Sequence, residues 1–335
     1  MKINYVDVCC GLAWGDEGKG KVVSHLSNAH PYDFVCRWAG GDNAGHTIYV
    51  NGRKYKTHLI PSGVFYGKQS IIGPGCVINK DSFYKELEYL KENGFDITLI
   101  KVSKFAHVVT PLHIQEDKEK YKESIGTTAK GIGPCYRDKY ARTGKRVVDC
   151  IEDFADFIWD EQLYGNVLCE GAQGIWLDID QGNYPYVTSS CTLPYSACSL
   201  GFPPQKIRRI YGATKMYDTR SGFDPDFPET LFDDPQLEKI GELGGEYGTT
   251  TGRKRKVNYL NLDKLIKGVS ITGTTHLIIS KGDVLEQTLC FRTLYKNKLL
   301  MFETLFELET HVRETLLMED NQLIDIIFSY TPERI

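Results

Sequence analysis

No apolar run in the sequence approaches the roughly 20 residues that span a bilayer, so no membrane partner is expected. Met1 to Tyr5 has neither the apolar core nor the cleavage site of a secretory signal. The ten cysteines include no C-x-x-C pair and no histidines at zinc-ligand spacing. A zinc-built or disulfide-built fold is therefore excluded, and reduced, mostly buried thiols in a cytoplasmic protein are expected. Net charge is only −4, against a general nucleic-acid binder or a membrane-surface protein. Internal repeats, low-complexity tracts and long linkers are also missing. No shift of composition divides the chain, so one domain over residues 1–335 is expected.

What is present is ordinary for a packed enzyme: 41% apolar residues suffice for a core. Strand-like and helix-like runs alternate. This predicts an α/β fold with a central, mostly parallel sheet and flanking helices, with elaborate loops. Val6 to Cys10, Phe34 to Trp38, Ser70 to Ile72, Ile97 to Val102, Val167 to Cys169, Ile207 to Tyr211, Leu277 to Ser280 and Leu323 to Phe328 read as strands. Ile48 to Tyr55 reads as a hairpin turning on Asn51-Gly52. Phe83, Leu87 and Leu90 share a helical face, stopped by Asn93-Gly94. A polar helix is expected over Ile114 to Lys122 and an amphipathic one through Leu305, Leu308, Val312 and Leu316. Ile125 to Gly144, rich in Gly, Thr and Arg, reads as a loop.

Five clusters carry chemistry. Trp14-Gly15-Asp16-Glu17-Gly18-Lys19-Gly20-Lys21 lies between the first strand and a helix carrying Val22, Val23 and Leu26. A glycine-rich strand-to-helix turn presents N–H groups to a phosphate, and Lys19 and Lys21 add positive charge. It matches most of a Walker A loop, giving a P-loop-NTPase-like start. However, Val22 replaces the magnesium-binding Ser or Thr, so Asp16 is the expected oxygen donor. Gly40 to Thr47 is a second close-approach loop, and His46 in it can exchange protons near neutrality. Thr127, Thr128 and Lys130, with Arg137, Arg142 and Arg146, suit a phosphate ester. Gly248 to Lys256 suits a small carboxylate or phosphate. Lys281-Gly282-Asp283 ends a strand, where a carboxylate can accept from the N1–H and 2-amino group of guanine.

In this order the clusters resemble the adenylosuccinate synthetase family. The matching strings are W-G-D-E-G-K-G-K, G-x-N-A-G-H-T at Gly41 to Thr47, H-L-I-P-S-G at His58 to Gly63 and I-G-T-T-x-x-G-I-G-P at Ile125 to Pro134. Glu170 to Gly174, Tyr184 to Ser190 and T-T-G-R-x-R at Thr250 to Arg255 match as well. The resemblance covers nearly the whole chain. It is a compact version, with little between Asp149 and Glu170 and a trimmed region after Asp283.

The resemblance implies a ligase that joins IMP and L-aspartate at the expense of GTP through 6-phosphoryl-IMP, in purine (AMP) biosynthesis. It implies Asp16, His46 and Lys19 as catalytic residues. Asn43, Thr128, Arg142, Gln173, Thr188 and Arg253 would bind IMP. Thr250, Thr251, Arg253 and Arg255 would bind aspartate. Gly15, Glu17, Gly18, Lys19, Gly20, Gly45, His46, Thr47, Arg255, Lys281, Asp283 and Ser329 would bind GTP. One Mg2+ per subunit would sit on Asp16 and the Gly45 backbone. A homodimer is implied, with Arg142 reaching the other subunit's site.

Three stretches depart from the family pattern. Thr219-Arg220-Ser221-Gly222-Phe223-Asp224-Pro225 replaces a T-R-V-G-A-G-P-like turn near the nucleotide sugar. Lys281-Gly282-Asp283 replaces K-L-D, and Ser329-Tyr330-Thr331-Pro332 replaces S-T-G-P. A phage relative that joins aspartate to dGMP, tending to use ATP, is the nearest rival, but it carries Ser at the loop Asp. A non-catalytic GTP switch is the rival from another class. It would not need Asp16, His46 and Arg253 together.

Overall fold

The computed structural model describes residues 2–248 and 252–335. Its first strand, β1 (Ile3–Gly11), is buried on both faces from Val6 onward. It lies near the middle of a nine-stranded sheet. From one edge the strands are Asp325–Phe328, His276–Ser280, Ile207–Lys215, β1, Gly165–Glu170, Phe34–Arg37, Gln69–Ile72, Ile100–Ser103 and Ile158–Trp159. Every neighbouring pair is parallel. Strands buried on both faces read as nearly continuous apolar runs, as Val6, Val8, Cys9 and Cys10 do beside Val167, Leu168 and Cys169; buried Asp7 among them accepts from Tyr32 (2.5 Å) and Arg208 (2.6 Å). All carboxyl ends then emerge on one side, where open parallel sheets bind their ligands.

The helix α1 (Lys19–Ala29) follows β1 directly and buries Val22, Val23 and Leu26 against the sheet. Asn51 (φ 50) and Gly52 (φ 76) form the expected two-residue turn between His46–Val50 and Arg53–Thr57. A four-stranded sheet not expected from the sequence contains Tyr217–Arg220, Lys256–Asn261, Arg292–Tyr295 and Lys298–Met301. It packs with the helices Pro235–Leu243, Leu262–Thr272 and Leu305–Glu319 into one core cluster.

Two expectations need correction. The stretch read as a loop from Ile125 to Gly144 contains a helix, Ile132–Ala141. Ile132, Cys135 and Tyr136 recur at helical spacing and are buried with Val77 and Val109. Pro134 falls in the first turn, where its missing N–H breaks no helical hydrogen bond. In Ile97 to Val102, the first three residues form a 3-10 turn because Asp96 accepts from the Thr98 N–H (2.9 Å); the strand begins at Ile100. The ten cysteines are all free, and seven are buried. Among the described residues no helix is long and apolar enough to cross a membrane.

Candidate active site

The loop after β1 folds around its own carboxylate. Glu17, 1% exposed, accepts from the N–H groups of Ala13 (3.2 Å) and Gly15 (2.8 Å) and pairs with Lys19. With Glu17 turned inward, Asp16 is turned out at φ 61, a left-handed conformation uncommon for a residue with a side chain. The α1 N-terminus has no side-chain cap, so its first N–H groups stay available to a ligand. Gly20 is required by close approach: a Cβ there would lie 2.9 Å from that of His46. The second loop is thereby locked against the first.

These loops line one cavity of about 1130 Å³. It also takes in Asn43 to Thr47, Gly126 to Thr128, Gln173, Tyr184 to Ser189, Arg220, Arg253, Arg255, Lys281 and Asp283. Nearly every residue singled out from the sequence is therefore brought together. Gly15, Asp16, Glu17, Gly18, Lys19 and Gly20 form one wall, and Asn43, Gly45, His46, Thr47, Thr128, Gln173 and Thr188 line the same space. Arg142 is apart from it: it ends the helix Ile132–Ala141 at φ 65 and is exposed. Ser329 lies just behind the lining, buried, with its hydroxyl donating to the Arg334 carbonyl (2.7 Å). Thr250 and Thr251 lie outside the described residues. Lys21 lines the cavity as expected and has a second role. Its ammonium donates to Ser329 Oγ and the Thr331 carbonyl (2.6 Å), tying the C-terminal segment to α1. Burial lowers its pKa to about 8.

Two buried charge systems support the cavity. His46 Nδ1 pairs with Glu170, which also accepts from the Ser62 N–H (2.7 Å) and hydroxyl (3.0 Å). Burial pushes the His46 pKa down against the pull of Glu170. For Glu170 burial acts upward, but His46, Arg37 and the Ser62 N–H together hold it below the usual carboxylate range. The pair is thus a carboxylate accepting from a neutral imidazole, and Nε2 is the ring atom left for a ligand in the cavity.

The second system is centred on Glu246. It accepts from Arg255 Nη1 (2.6 Å), Lys215 Nζ (3.2 Å) and the Tyr217 hydroxyl (2.7 Å). Arg255 then reaches Asp16 Oδ2 with Nη2 (2.8 Å), so one guanidinium bridges the core carboxylate and the cavity carboxylate. Burial alone would raise Glu246, but Lys215 and Arg255 bring it from 4.5 to about 2. Its stabilising effect is therefore complete above about pH 4.5 and is lost as pH falls toward 2. Glu246→Ala should destabilise the protein by about 3–5 kcal/mol, since buried Lys215 loses its counter-ion and Arg255 keeps only Asp16. Urea unfolding at pH 7 checks this; a loss below 1 kcal/mol would contradict it.

Lys215 and Glu246 were not identified from the sequence, and Glu170 only as the start of a matching string with no role assigned. Glu170 offered a signal, a carboxylate at the carboxyl end of a buried strand followed by glycine. Lys215 had a similar strand-end position. Gln173 carries a further sign of a ligand site: at φ 55 it lines the cavity with a buried amide oxygen that has no partner among the described residues.

A family model described as adenylosuccinate synthetase matches residues 8–158 and 149–296. The chain belongs to the adenylosuccinate synthetase family. It is accordingly a ligase that forms a C–N bond. An adenylosuccinate synthetase of Lysinibacillus sphaericus is 39% identical over 349 residues, spanning 87% of this chain and 80% of the relative. One from Parabacteroides distasonis is 41% identical over 335 residues, spanning 84% and 78%. A fully ligated adenylosuccinate synthetase from Plasmodium falciparum superposes with a TM-score of 0.81 at 30% identity, covering 98% of each chain. A cyanophage S-2L succinoaminodeoxyadenylate synthetase bound to dGMP and dATP gives 0.76 at 18% identity, covering 99% of this chain and 94% of that one. At that identity the likeness is one of fold.

Proposed function

We propose that the enzyme joins IMP and L-aspartate to adenylosuccinate, with GTP converted to GDP and phosphate. The observation that carries this is the convergence of Asp16, His46, Arg255 and the α1 N-terminus on one cavity. A purine oxygen is a poor leaving group, and phosphorylation makes it a good one. Asp16 accepts the N1 proton of IMP, and the negative charge reaches O6, which attacks the γ-phosphorus. The bond to the β-phosphate oxygen breaks, and its electron pair leaves with GDP. His46 takes up a proton as the polyphosphate binds and donates to that oxygen from Nε2, with Nδ1 held by Glu170. The aspartate amine then attacks C6, the C–O bond breaks, and phosphate departs. Asn43, Thr128, Gln173 and Thr188 hold IMP; Arg253 and Arg255 hold aspartate carboxylates, together with Thr250 and Thr251. Lys19, Thr47 and the loop N–H groups hold the GTP phosphates, and Lys281 and Asp283 meet its guanine.

The donor chemistry fits one Mg2+. Asp16 and the Gly45 backbone offer hard oxygens on one cavity, and no cluster of three or more His, Cys, Asp or Glu ligands exists among the described residues. The other ligands would be phosphate oxygens and water, the usual preference of magnesium. When bound, the ion supplies neutralisation of phosphate charge. Arg142, exposed and away from its own cavity, would complete the IMP site of a second copy in a homodimer. The free cysteines fit a cytoplasmic enzyme.

The reading is tested by crossing IMP, dIMP and dGMP with GTP and ATP, all with aspartate and magnesium. Turnover should be fastest with IMP and GTP and should require aspartate. Faster turnover of dGMP with ATP would overturn it, and so would phosphate release without aspartate.

A further inference from the structure

The turn Lys281-Gly282-Asp283 faces a strap formed by residues 329–332 of the C-terminal segment. Lys281, Asp283, Thr331 and Pro332 line the cavity together. The strap is fixed at three points. The Ser329 N–H donates to the Ile279 carbonyl (2.8 Å), the Gly282 N–H donates to the Ser329 carbonyl (3.3 Å), and Lys21 holds Ser329 and Thr331. On the turn side, Lys281 Nζ donates to the Gly244 carbonyl (2.8 Å).

Between strap and turn lies one aromatic ring. A Cβ on Gly282 would stand 2.6 and 2.7 Å from Cδ1 and Cε1 of Tyr330, so no larger residue fits unless the ring moves. The ring is 43% exposed but tethered at its tip. Its hydroxyl donates to the Glu309 carboxylate, 2.7 and 2.8 Å from the two oxygens, on the helix Leu305–Glu319. Both residues belong to stretches that depart from the family pattern: Gly282 lacks the apolar side chain of K-L-D, and Tyr330 adds bulk to the S-T-G-P segment. The structure puts the two departures in contact, one making the space that the other fills.

We propose that Tyr330, seated on the bare Cα of Gly282 and anchored by Glu309, sets the spacing between the strap and the Lys281–Asp283 turn and so the choice of purine base in the nucleoside triphosphate. Tyr330 is a positioning residue: it acts through Asp283 and the strap, not by touching the reacting atoms. The inference rests on the proposal that Lys281 and Asp283 meet guanine. A purine slot discriminates by hydrogen bonds that must be made at full geometry, and a shift of a few tenths of an ångström at one wall weakens them.

The test is a double-substitution cycle read in steady-state kinetics with GTP and ATP. Gly282→Leu should raise the KM for GTP about tenfold and lower the preference for GTP over ATP, with kcat and the KM for IMP within about twofold. Tyr330→Thr should raise the GTP KM by a smaller factor, about three- to fivefold. The double variant should recover to within about threefold of the parent, because the leucine then occupies the ring's place. Effects that multiply in the double variant, or a Gly282→Leu enzyme with unchanged GTP preference, overturn the proposal. Should Gly282→Leu not fold, Gly282→Ala with Tyr330→Thr gives the same cycle. Asp283→Asn separates the two levels. If it lowers the GTP preference while the cycle multiplies, only the role of Tyr330 fails. If it leaves the preference unchanged, the guanine contact fails and the proposal with it.

Discussion

Asp16→Asn should lower kcat by about 10³-fold or more while the fold and nucleotide affinity survive. The general-base contribution alone is worth about 10²–10⁴. The same change weakens an oxygen ligand of the proposed magnesium site. Asp16 is a surface of the cavity and not a core support: its carboxylate is 30% exposed and, among the described residues, its ion pair is with Arg255. Removing that pair leaves Arg255 bonded to Glu246 at 2.6 Å, so the guanidinium keeps a partner. Unfolding should therefore move by less than about 1 kcal/mol, as for other partly exposed pairs. Single-turnover measurement of phosphate formation, beside a urea curve, checks both halves. A variant with normal turnover would remove Asp16 from the chemistry, and one that unfolds would make it a structural residue.

His46→Asn should lower kcat by about 10²–10³, because the developing charge on the departing β-phosphate oxygen loses its stabilising group. Its pH behaviour gives a sharper test. Burial pushes the imidazole pKa down. A polyphosphate beside Nε2 must push it up, so binding GTP draws in up to about one proton. By linkage GTP then binds more weakly as pH rises through neutrality. Calorimetry in two buffers of different ionisation heat reads the proton directly. The parent should show greater uptake than His46→Asn; equal uptake would contradict a role for His46 at the phosphate. Glu170→Gln should also depress kcat, since the glutamine cannot hold the imidazole as a carboxylate does.

The sequence was most informative where backbone geometry forces residue choice. The turn at Asn51-Gly52, the strand-to-helix loop from Trp14 to Lys21 and the buried strands beside β1 all follow from local rules, and the structure has them in place. The loop clusters were legible because glycines mark where backbone approaches a ligand. Composition misled at Ile132–Ala141, where glycine and arginine masked a helical spacing of three buried residues. The four-stranded sheet stayed hidden because its strands are short and pair across long separations, as Lys256–Asn261 does with Arg292–Tyr295. Long range also explains the missed charges. Nothing near Glu246 in the chain announces that Lys215 and Tyr217 will meet it, or that Arg255 will carry its influence to Asp16. The same holds for Gly282 and Tyr330, two separate oddities in sequence and one contact in space.

The central claim is that Asp16 frees O6 of IMP to take the γ-phosphoryl group. It is tested most directly by supplying IMP labelled with 18O at O6 and analysing the phosphate released with aspartate and GTP present. The label should appear in that phosphate in full, and the Asp16→Asn enzyme should form almost none. Phosphate carrying only solvent oxygen, from the parent enzyme turning over normally, would contradict the account.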